Sequence, residues 1–184
     1  MQITSTALPG VLLIAPDRYL DARGFFSETF REEWLAAQGI DCRFVQDNHS
    51  LSREAGVVRG LHFQIPPFAQ AKLVRVAAGA ILDVAVDLRR GSPSFGRHAA
   101  TRLSAAEWNQ IFIPEGFAHG FCVLEPDTQV LYKASRYYSA AHERGLLWND
   151  PALGIEWPVG DGRAILSDKD RRHPTLAELP AVFE

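Results

Sequence analysis

The stretch Ile81-Leu-Asp-Val-Ala-Val-Asp-Leu88 decides the fold, because its side chains alternate in character with a period of two. Aliphatic residues at every second position, from Leu82 to Leu88, share one face, whereas Asp83 and Asp87 lie on the other. This period is typical of a strand with one buried face and one solvated face. The sequence therefore predicts a half-buried β-strand at 81–88.

Similar short runs surround this strand. The further predicted strands are 11–15, 72–76, 110–113, 120–124 and 128–135, separated by turn-forming groups such as Gly91-Ser-Pro93 and Pro114-Glu-Gly116. One helix is predicted, with Ser27 as its cap, an end near Gln38 and Gly39 beyond it. The segment from about Asn149, rich in Pro, Gly and Asp, is predicted to wrap the strands. Many short strands and few helices favour a sandwich or jelly roll, whose open mouth can hold a ligand.

Composition excludes several classes of protein. The 184 residues, 47% apolar and 22% charged, suit one globular domain. A formal net charge of -3 disfavours a nucleic-acid partner. The sequence has no signal-peptide pattern and no apolar run long enough for a membrane span, and Cys42 and Cys122 have no metal or redox spacing. We therefore expect a cytoplasmic protein that binds neither nucleic acid nor membrane.

A histidine and a lysine are the first candidates for chemistry. His62 lies in the strand-like run Arg59-Gly-Leu-His-Phe-Gln64, and Lys72 follows closely. Histidine is the natural general base near neutral pH. The alternative is a histidine of the core whose hydrogen bonds are satisfied within the protein.

His119 belongs to a motif that also occurs in metal sites. Pro114-Glu-Gly-Phe-Ala-His119 has the Pro-x-Gly-x-x-His spacing of the second metal motif of cupins. Such sites usually add a His-x-His pair, and here Phe63 and Gln64 follow His62 instead. One or two imidazoles do not complete a site that normally needs three protein ligands. We therefore interpret His119 as a hydrogen-bond donor to a ligand, and predict no metal.

Two further segments allow two interpretations each. Tyr132 shares a strand face with Val130 and Ala134, so its phenol is either a general acid or a packed side chain with one hydrogen bond. The charge run 166–172 is either a solvated loop or the source of a carboxylate that orients His62 and of a lysine, Lys169, that meets a phosphate.

Six segments, in order and at this spacing, resemble the dTDP-4-dehydrorhamnose 3,5-epimerase family over nearly the whole chain. They are Asp21-Ala-Arg-Gly-Phe-Phe-Ser-Glu-Thr-Phe30, Gln46-Asp-Asn-His-Ser50, Val58-Arg-Gly-Leu-His-Phe-Gln64, Ala69-Gln-Ala-Lys-Leu-Val-Arg-Val76, Ile113-Pro-Glu-Gly-Phe-Ala-His-Gly-Phe121 and Ser167-Asp-Lys-Asp170. The departures are Phe63, where the family often has Tyr, and Ala71, where Gly is common. Neither departure removes an ionisable group.

The resemblance implies an all-β fold, a cupin jelly-roll barrel or sandwich with a few short helices, formed by residues 1–184 as one domain. It implies a homodimer that uses no metal and no cofactor. The implied reaction converts dTDP-4-dehydro-6-deoxy-D-glucose into dTDP-4-dehydro-L-rhamnose, a step of dTDP-L-rhamnose biosynthesis.

The resemblance also implies roles for individual residues. His62 is the base, Asp170 its carboxylate partner, Tyr132 the acid on the opposite face of the sugar, and Lys72 the stabiliser of the enolate oxygen. Asp168 competes with Asp170 for the partner role. The implied substrate contacts are Arg23, Phe26, Glu28, Gln46, Asn48, Arg59, His119, Tyr138, Glu143 and Lys169. Because the ketone lies between two acidic carbons, one site can process both.

Three alternatives stay open at this point. The first is a single-position epimerase of the same family, acting on another dTDP-deoxysugar. The second is a metal-dependent cupin oxygenase, which the missing His-x-His pair opposes. The third is a sugar-nucleotide-binding module without catalytic activity.

Overall fold

Two antiparallel sheets form the framework of the protein, and the computed structural model describes residues 1–183. The larger sheet has the order β1-β2-β10-β7-β12-β5 and the smaller sheet the order β13-β6-β11-β8-β9, while β3 and β4 form a separate hairpin. The strands are β1 Gln2–Ser5, β2 Leu12–Ala15, β3 Tyr19–Asp21, β4 Gly24–Phe26, β5 Gln46–Ser52, β6 Val58–Gln64, β7 Lys72–Ala78, β8 Ala80–Asp87, β9 His98–Ser104, β10 Gln110–Ile113, β11 Phe117–Val123, β12 Thr128–Ala134 and β13 Glu143–Gly145. The predicted all-β jelly-roll sandwich is confirmed.

The main core lies between the two sheets. Val74 and Val76 of β7 and Val130 of β12 face Ile81 and Ala85 of β8 across this layer, and all five are at most 3% exposed. Lys72 and Tyr132 lie on the same faces of β7 and β12, nearer one end, because side chains two apart on a strand point the same way. The alternation that builds the core therefore also directs these two polar side chains into the space between the sheets.

The prediction that 81–88 is half-buried is wrong, because β8 is covered on both faces. Asp83 and Asp87 are fully buried, on the same face as Ile81 and Ala85. The carboxylate of Asp87 accepts hydrogen bonds from the side chains of Arg89, Ser92 and Ser94. These donors replace the water that a carboxylate would otherwise need.

The C-terminal segment covers the outer face of the smaller sheet, as predicted. Leu153 and Leu179 pack with Val84, Val86 and Leu146 in a second buried cluster. Besides isolated bridges, the described part of this segment contributes three short 3-10 helices, Pro151–Leu153, Asp161–Arg163 and Asp170–Arg172. The last of these brings Asp170 against β6.

The single α-helix is shorter than predicted. Helix α1 spans Glu32–Ala36 and begins after Arg31, with no side-chain cap. The hydroxyl of Ser27 donates to the carbonyl of Asp17 and accepts from the indole of Trp108, so it is not available as a cap. Leu35 is the buried residue of this helix. Within residues 1–183, no helix is long and apolar enough to cross a lipid bilayer.

Candidate active site

An open cavity between the sheets collects most of the predicted site residues. It has two adjoining compartments of about 620 Å³ and about 360 Å³. Both compartments are lined by His62, Lys72 and Tyr132, which therefore mark the boundary between them. The other predicted residues that line the cavity are Gln46, Asn48, Arg59, His119, Tyr138, Glu143, Lys169 and Asp170.

Two glycines set the distance between the strands that carry the site histidines. Gly60 of β6 has φ of +120°, and a Cβ there would lie 2.6 Å from Cα of Gly120 on β11. A Cβ at Gly120 would lie 2.7 Å from the carbonyl oxygen of Arg59. The register shifts at this point, and His62 then pairs with His119. The absence of side chains at both positions thus permits the close approach that brings the two histidines to one wall.

His62 contacts a carboxylate, and that carboxylate is Asp170. The Nε2 atom of His62 lies 2.5 Å from Oδ1 of Asp170, which is 3% exposed. Asp168 is exposed, so the structure favours Asp170 over Asp168 as the partner. Burial raises the pKa of Asp170, but the hydrogen bond and charge of His62 outweigh it, and the pKa lies below its usual value. The carboxylate therefore stays ionised. Because it contacts Nε2, Nδ1 is the ring nitrogen of His62 that remains free.

Lys72 places a titratable ammonium group in the same cavity. It is the first residue of β7 and is half-buried. Burial lowers its pKa to about 8, and the charges of Asp83 and Glu143 act in the opposite direction. The ammonium form therefore predominates near neutral pH and gives way to the amine as the pH rises through about 8.

Tyr132 keeps its proton at neutral pH. Its strand is hydrogen-bonded between β7 and β5, where Tyr132 pairs with Val74 and Asn48. Burial raises the pKa of the phenol, Arg59 lowers it and Glu143 raises it, with a net increase. A phenol that remains protonated can donate a proton to a carbanion.

His119 is held by a second buried carboxylate. It is 7% exposed, and its Nε2 atom lies 2.8 Å from Oδ2 of Asp83. Within residues 1–183, Oδ1 of Asp83 is buried without a hydrogen-bond partner. The pair fixes the orientation of His119 in the wall of the cavity.

The rim of the smaller compartment is a network of polar side chains. Glu143 accepts a hydrogen bond from the hydroxyl of Tyr138 at 2.9 Å and pairs with Nζ of Lys169 at 2.5 Å. Burial raises the pKa of Glu143, but these two donors outweigh it and lower the pKa. The side chain of Gln46 donates to Asn48 and accepts from the backbone N–H of Tyr138. This network ties the rim to β5.

The structure does not bring Arg23, Phe26 and Glu28 to this cavity within one chain. All three lie at or just beyond the β3–β4 hairpin, where Phe26 is 70% exposed. Arg23 pairs with Asp21, and Glu28 pairs with Arg31. Within one chain these three side chains therefore do not reach a ligand in the cavity, contrary to the prediction.

The distance between His62 and Asp170 fits a hydrogen bond better than two ligands of one metal ion. Within the described part of the chain, His62, Asp170 and His173 form a group of possible ligands whose atoms all lie within 4.8 Å of one another. Two ligand atoms on a tetrahedral Zn²⁺ lie about 3.4 Å apart, given bond lengths of about 2.0–2.2 Å. The 2.5 Å between His62 and Asp170 is a hydrogen-bond distance instead.

The sequence did not identify Asp83 and His173 as parts of the site. Asp83 was assigned to a solvated strand face, because alternation does not tell which face of a strand is covered. His173 follows the charge run and showed no pattern of its own. A histidine three residues after the carboxylate partner is a signal only once the 3-10 helix Asp170–Arg172 is known.

Comparison with known proteins agrees with this geometry. The family model described as dTDP-4-dehydrorhamnose 3,5-epimerase matches residues 5–178. The chain belongs to that family. It is 50% identical over 184 residues to the dTDP-4-dehydrorhamnose 3,5-epimerase of Sinorhizobium fredii, covering 100% of this chain and 94% of that relative.

Solved structures of the family show the same fold. The epimerase of Bacillus anthracis, with TDP and PPi bound, is 49% identical, has a TM-score of 0.91, and is matched over 95% of this chain and 98% of that chain. The epimerase of Legionella pneumophila, in complex with dTDP-4-keto-L-rhamnose, is 43% identical with a TM-score of 0.92, over 98% and 95% of the two chains. The chain is accordingly an isomerase of the epimerase type.

Proposed function

We propose that the chain inverts both carbons beside the ketone of dTDP-4-dehydro-6-deoxy-D-glucose and so forms dTDP-4-dehydro-L-rhamnose. The observation that carries this proposal is that a base, an ammonium group and a protonated phenol line one cavity: His62, Lys72 and Tyr132. Removal of a proton beside a ketone, stabilisation of the enolate oxygen and return of a proton to the other face need these three groups.

In the proposed mechanism, the base is Nδ1 of His62. The imidazole takes the proton from the carbon beside the ketone, and the ionised Asp170 at 2.5 Å stabilises the imidazolium that forms. The ammonium of Lys72 lies where negative charge develops on the ketone oxygen. Tyr132 then donates its proton to the opposite face of the carbon. His62 then releases its proton to water and Tyr132 regains one from water in the open cavity, and a turn of the sugar ring presents the second carbon to the same groups.

The nucleotide part of the substrate is proposed to bind along the rim. Arg59 and Lys169 line the larger compartment and offer positive charge to the diphosphate, as guanidinium and ammonium groups do in phosphate sites. Tyr138 is 57% exposed beside the smaller compartment, where its ring is available to stack on the base or the sugar. Gln46, Asn48, His119 and Glu143 supply the remaining polar contacts.

Proton NMR in D₂O tests this function together with the role of Tyr132. We expect the wild-type enzyme, treated with EDTA, to incorporate deuterium at both carbons that flank the ketone. In Tyr132→Phe, product formation should fall about 10²-fold, since positioned general acids contribute about 10²–10⁴-fold. Exchange of the first proton should fall much less. Incorporation at one carbon only would identify a single-position epimerase, and equal losses of exchange and product would contradict the role of Tyr132 as acid.

We further propose that the chain acts as a homodimer in which the hairpin completes the partner's site. The hairpin presents large apolar side chains to solvent, with Tyr19 at 62%, Leu20 at 79% and Phe26 at 70% exposed. The hairpin is anchored by Phe25, whose ring meets that of Trp108 edge to face with the two centroids 4.7 Å apart. An anchored hairpin whose strands expose large apolar side chains is suited to a second copy of the chain. Arg23, Phe26 and Glu28 would then reach the substrate from the partner.

Mixed dimers test this arrangement. We expect His62→Ala and the double variant Arg23→Ala/Phe26→Ala to be nearly inactive when each is expressed alone. Co-expressed with different tags, they should form heterodimers in which one of the two sites is intact, so that about a quarter of all sites recover. No recovery in purified heterodimers would place the hairpin in the site of its own chain, and a monomer in solution would exclude the dimer.

The single-domain organisation and the cytoplasmic location are also part of this proposal. Both sheets share one core, and the family model spans residues 5–178, which supports a single epimerase domain over residues 1–184. Cys42 and Cys122 are free thiols, and burial raises the pKa of each to about 11. Free, protonated thiols support a reducing compartment such as the cytoplasm.

A further inference from the structure

A half-buried histidine that has no assigned role lies directly behind the proposed base. His173 follows the 3-10 helix Asp170–Arg172, and its side chain is 10% exposed. Among the described residues its Nε2 atom has no hydrogen-bond partner, although it is fully buried. A polar atom in this position requires a reason, because burying it without a partner costs free energy.

The surroundings of His173 show what its ring does. Its Nε2 atom lies 3.4 Å from Oδ1 of Asp170, the same oxygen that contacts His62. The rings of His62 and His173 meet edge to face, with centroids 5.6 Å apart and planes at 82°. His173 thus contacts both the base and its carboxylate.

The backbone provides a dedicated space for this ring. Gly145 of β13 pairs with His62 of β6. A Cβ at Gly145 would lie 2.2 Å from ring atoms of His173, so the imidazole occupies the volume that any other residue at 145 would fill. The ring is therefore fixed between Gly145 and the pair of His62 and Asp170.

We propose that His173 is a positioning residue, whose neutral imidazole holds the carboxylate of Asp170 and the ring of His62 in line for proton abstraction. The proposal rests on the role of His62 as base given above. A neutral ring packs against His62 and, with Nε2 3.4 Å from Oδ1 of Asp170, places a polar atom beside the carboxylate without completing a hydrogen bond and without a net charge. A protonated ring would compete with His62 for the shared oxygen and would repel the imidazolium that His62 must become.

The charges that face His173 keep it neutral at working pH. Burial lowers its pKa, and so does the charge of His62, whereas Asp170 raises it and Lys169 lowers it further, with a net decrease. Since the pKa is below the usual value for histidine, His173 is neutral at pH 7 and gains its proton only in acid. The ring of His173 therefore stays uncharged while His62 takes up and releases its proton.

Two substitutions separate the packing of the ring from its polar contact with Asp170. His173→Phe keeps an aromatic ring on Gly145 and removes both nitrogens, whereas His173→Gln keeps an N–H donor and removes the ring. We expect His173→Phe to lower kcat about tenfold, with KM within about twofold of wild type, because misalignment of a base costs part of its about 10²–10⁴-fold contribution. His173→Gln should recover much of this loss. In both variants a misaligned Asp170 should stabilise the imidazolium of His62 less, so the acidic limb of the kcat profile should move to lower pH, and ¹⁵N NMR should show the same change in the titration of His62.

His98→Phe is the matched control, because His98 is also half-buried but its Nδ1–H donates to the carbonyl oxygen of Leu153, away from the cavity. It should leave kcat and the pH profile unchanged. Unchanged kcat and acidic limb in His173→Phe would overturn the proposal, and so would equal losses in the Phe and Gln variants, which would indicate packing alone. If the Phe variant does not fold, an unshifted His62 titration in the Gln variant overturns it equally. An active His62→Ala would instead refute the proposed function on which the inference rests.

Discussion

Replacing His62 with alanine is expected to lower kcat about 10³-fold while dTDP still binds. The imidazole is the proposed group that takes the proton, and positioned general bases contribute about 10²–10⁴-fold. The side chain is 30% exposed in the cavity and is not part of the packed core, so its loss should not unfold the protein. Turnover of the nucleotide sugar, followed by NMR, and binding of dTDP, followed by calorimetry, measure the two quantities separately.

The matched control for this prediction is His49→Ala. His49 lies on β5 and contacts Gln129 at 2.9 Å, on the face of the larger sheet that points away from the cavity. We expect wild-type turnover from this variant. A His62→Ala enzyme with a tenth or more of wild-type activity would show that another group removes the proton.

Lys72→Met is expected to lower kcat by about 10²–10³-fold, the range found when one group that stabilises a developing oxyanion is removed. Methionine keeps the length and the packing of the side chain and removes its charge. Retention of more than about a tenth of the activity would mean that the enolate oxygen is held by other donors, with His119 as one candidate in the cavity wall.

The pH dependence of kcat/KM tests the role of the Lys72 ammonium group independently. Because burial lowers its pKa to about 8 and the charged form is the active one, kcat/KM should decline as the pH rises through about 8. Below that pH the ammonium is present and this group no longer limits the rate. In Lys72→Arg the remaining activity should lack this limb, since guanidinium keeps its charge over the whole range. An unchanged limb in Lys72→Arg would assign it to another residue.

The parts of the fold that follow from hydrophobic alternation were predictable from the sequence. The predicted strands at 72–76, 110–113 and 128–135 correspond to β7, β10 and β12 within a few residues. Strand β5 was missed, because Gln46-Asp-Asn-His-Ser-Leu-Ser52 is almost entirely polar and its inward side chains face the cavity instead of a core. The burial of Asp83 and Asp87 was also missed, since they lie on the face of β8 that the larger sheet covers, whereas the C-terminal segment covers the aliphatic face from Leu82 to Leu88.

The chemistry of the candidate site was more predictable than its supporting contacts. The motifs around His62, Lys72 and Tyr132 indicated the groups, and the structure places them in one cavity. Contacts between segments distant in sequence were not accessible in the same way. His62 and Asp170 are 108 residues apart, and the charge run alone left Asp168 and Asp170 equivalent. Burial of one and exposure of the other distinguishes them.

The interlocked glycines of β6 and β11 have a consequence for the evolution of this enzyme. Gly60 and Gly120 take no part in any proton transfer, yet even a methyl group at either would push the opposing backbone away and carry a catalytic-wall histidine with it. A library of random variants selected for turnover should therefore be depleted of substitutions at both positions as strongly as at the base itself. In such a library Gly60 and Gly120 would appear as two intolerant positions, because each contributes only the absence of a side chain.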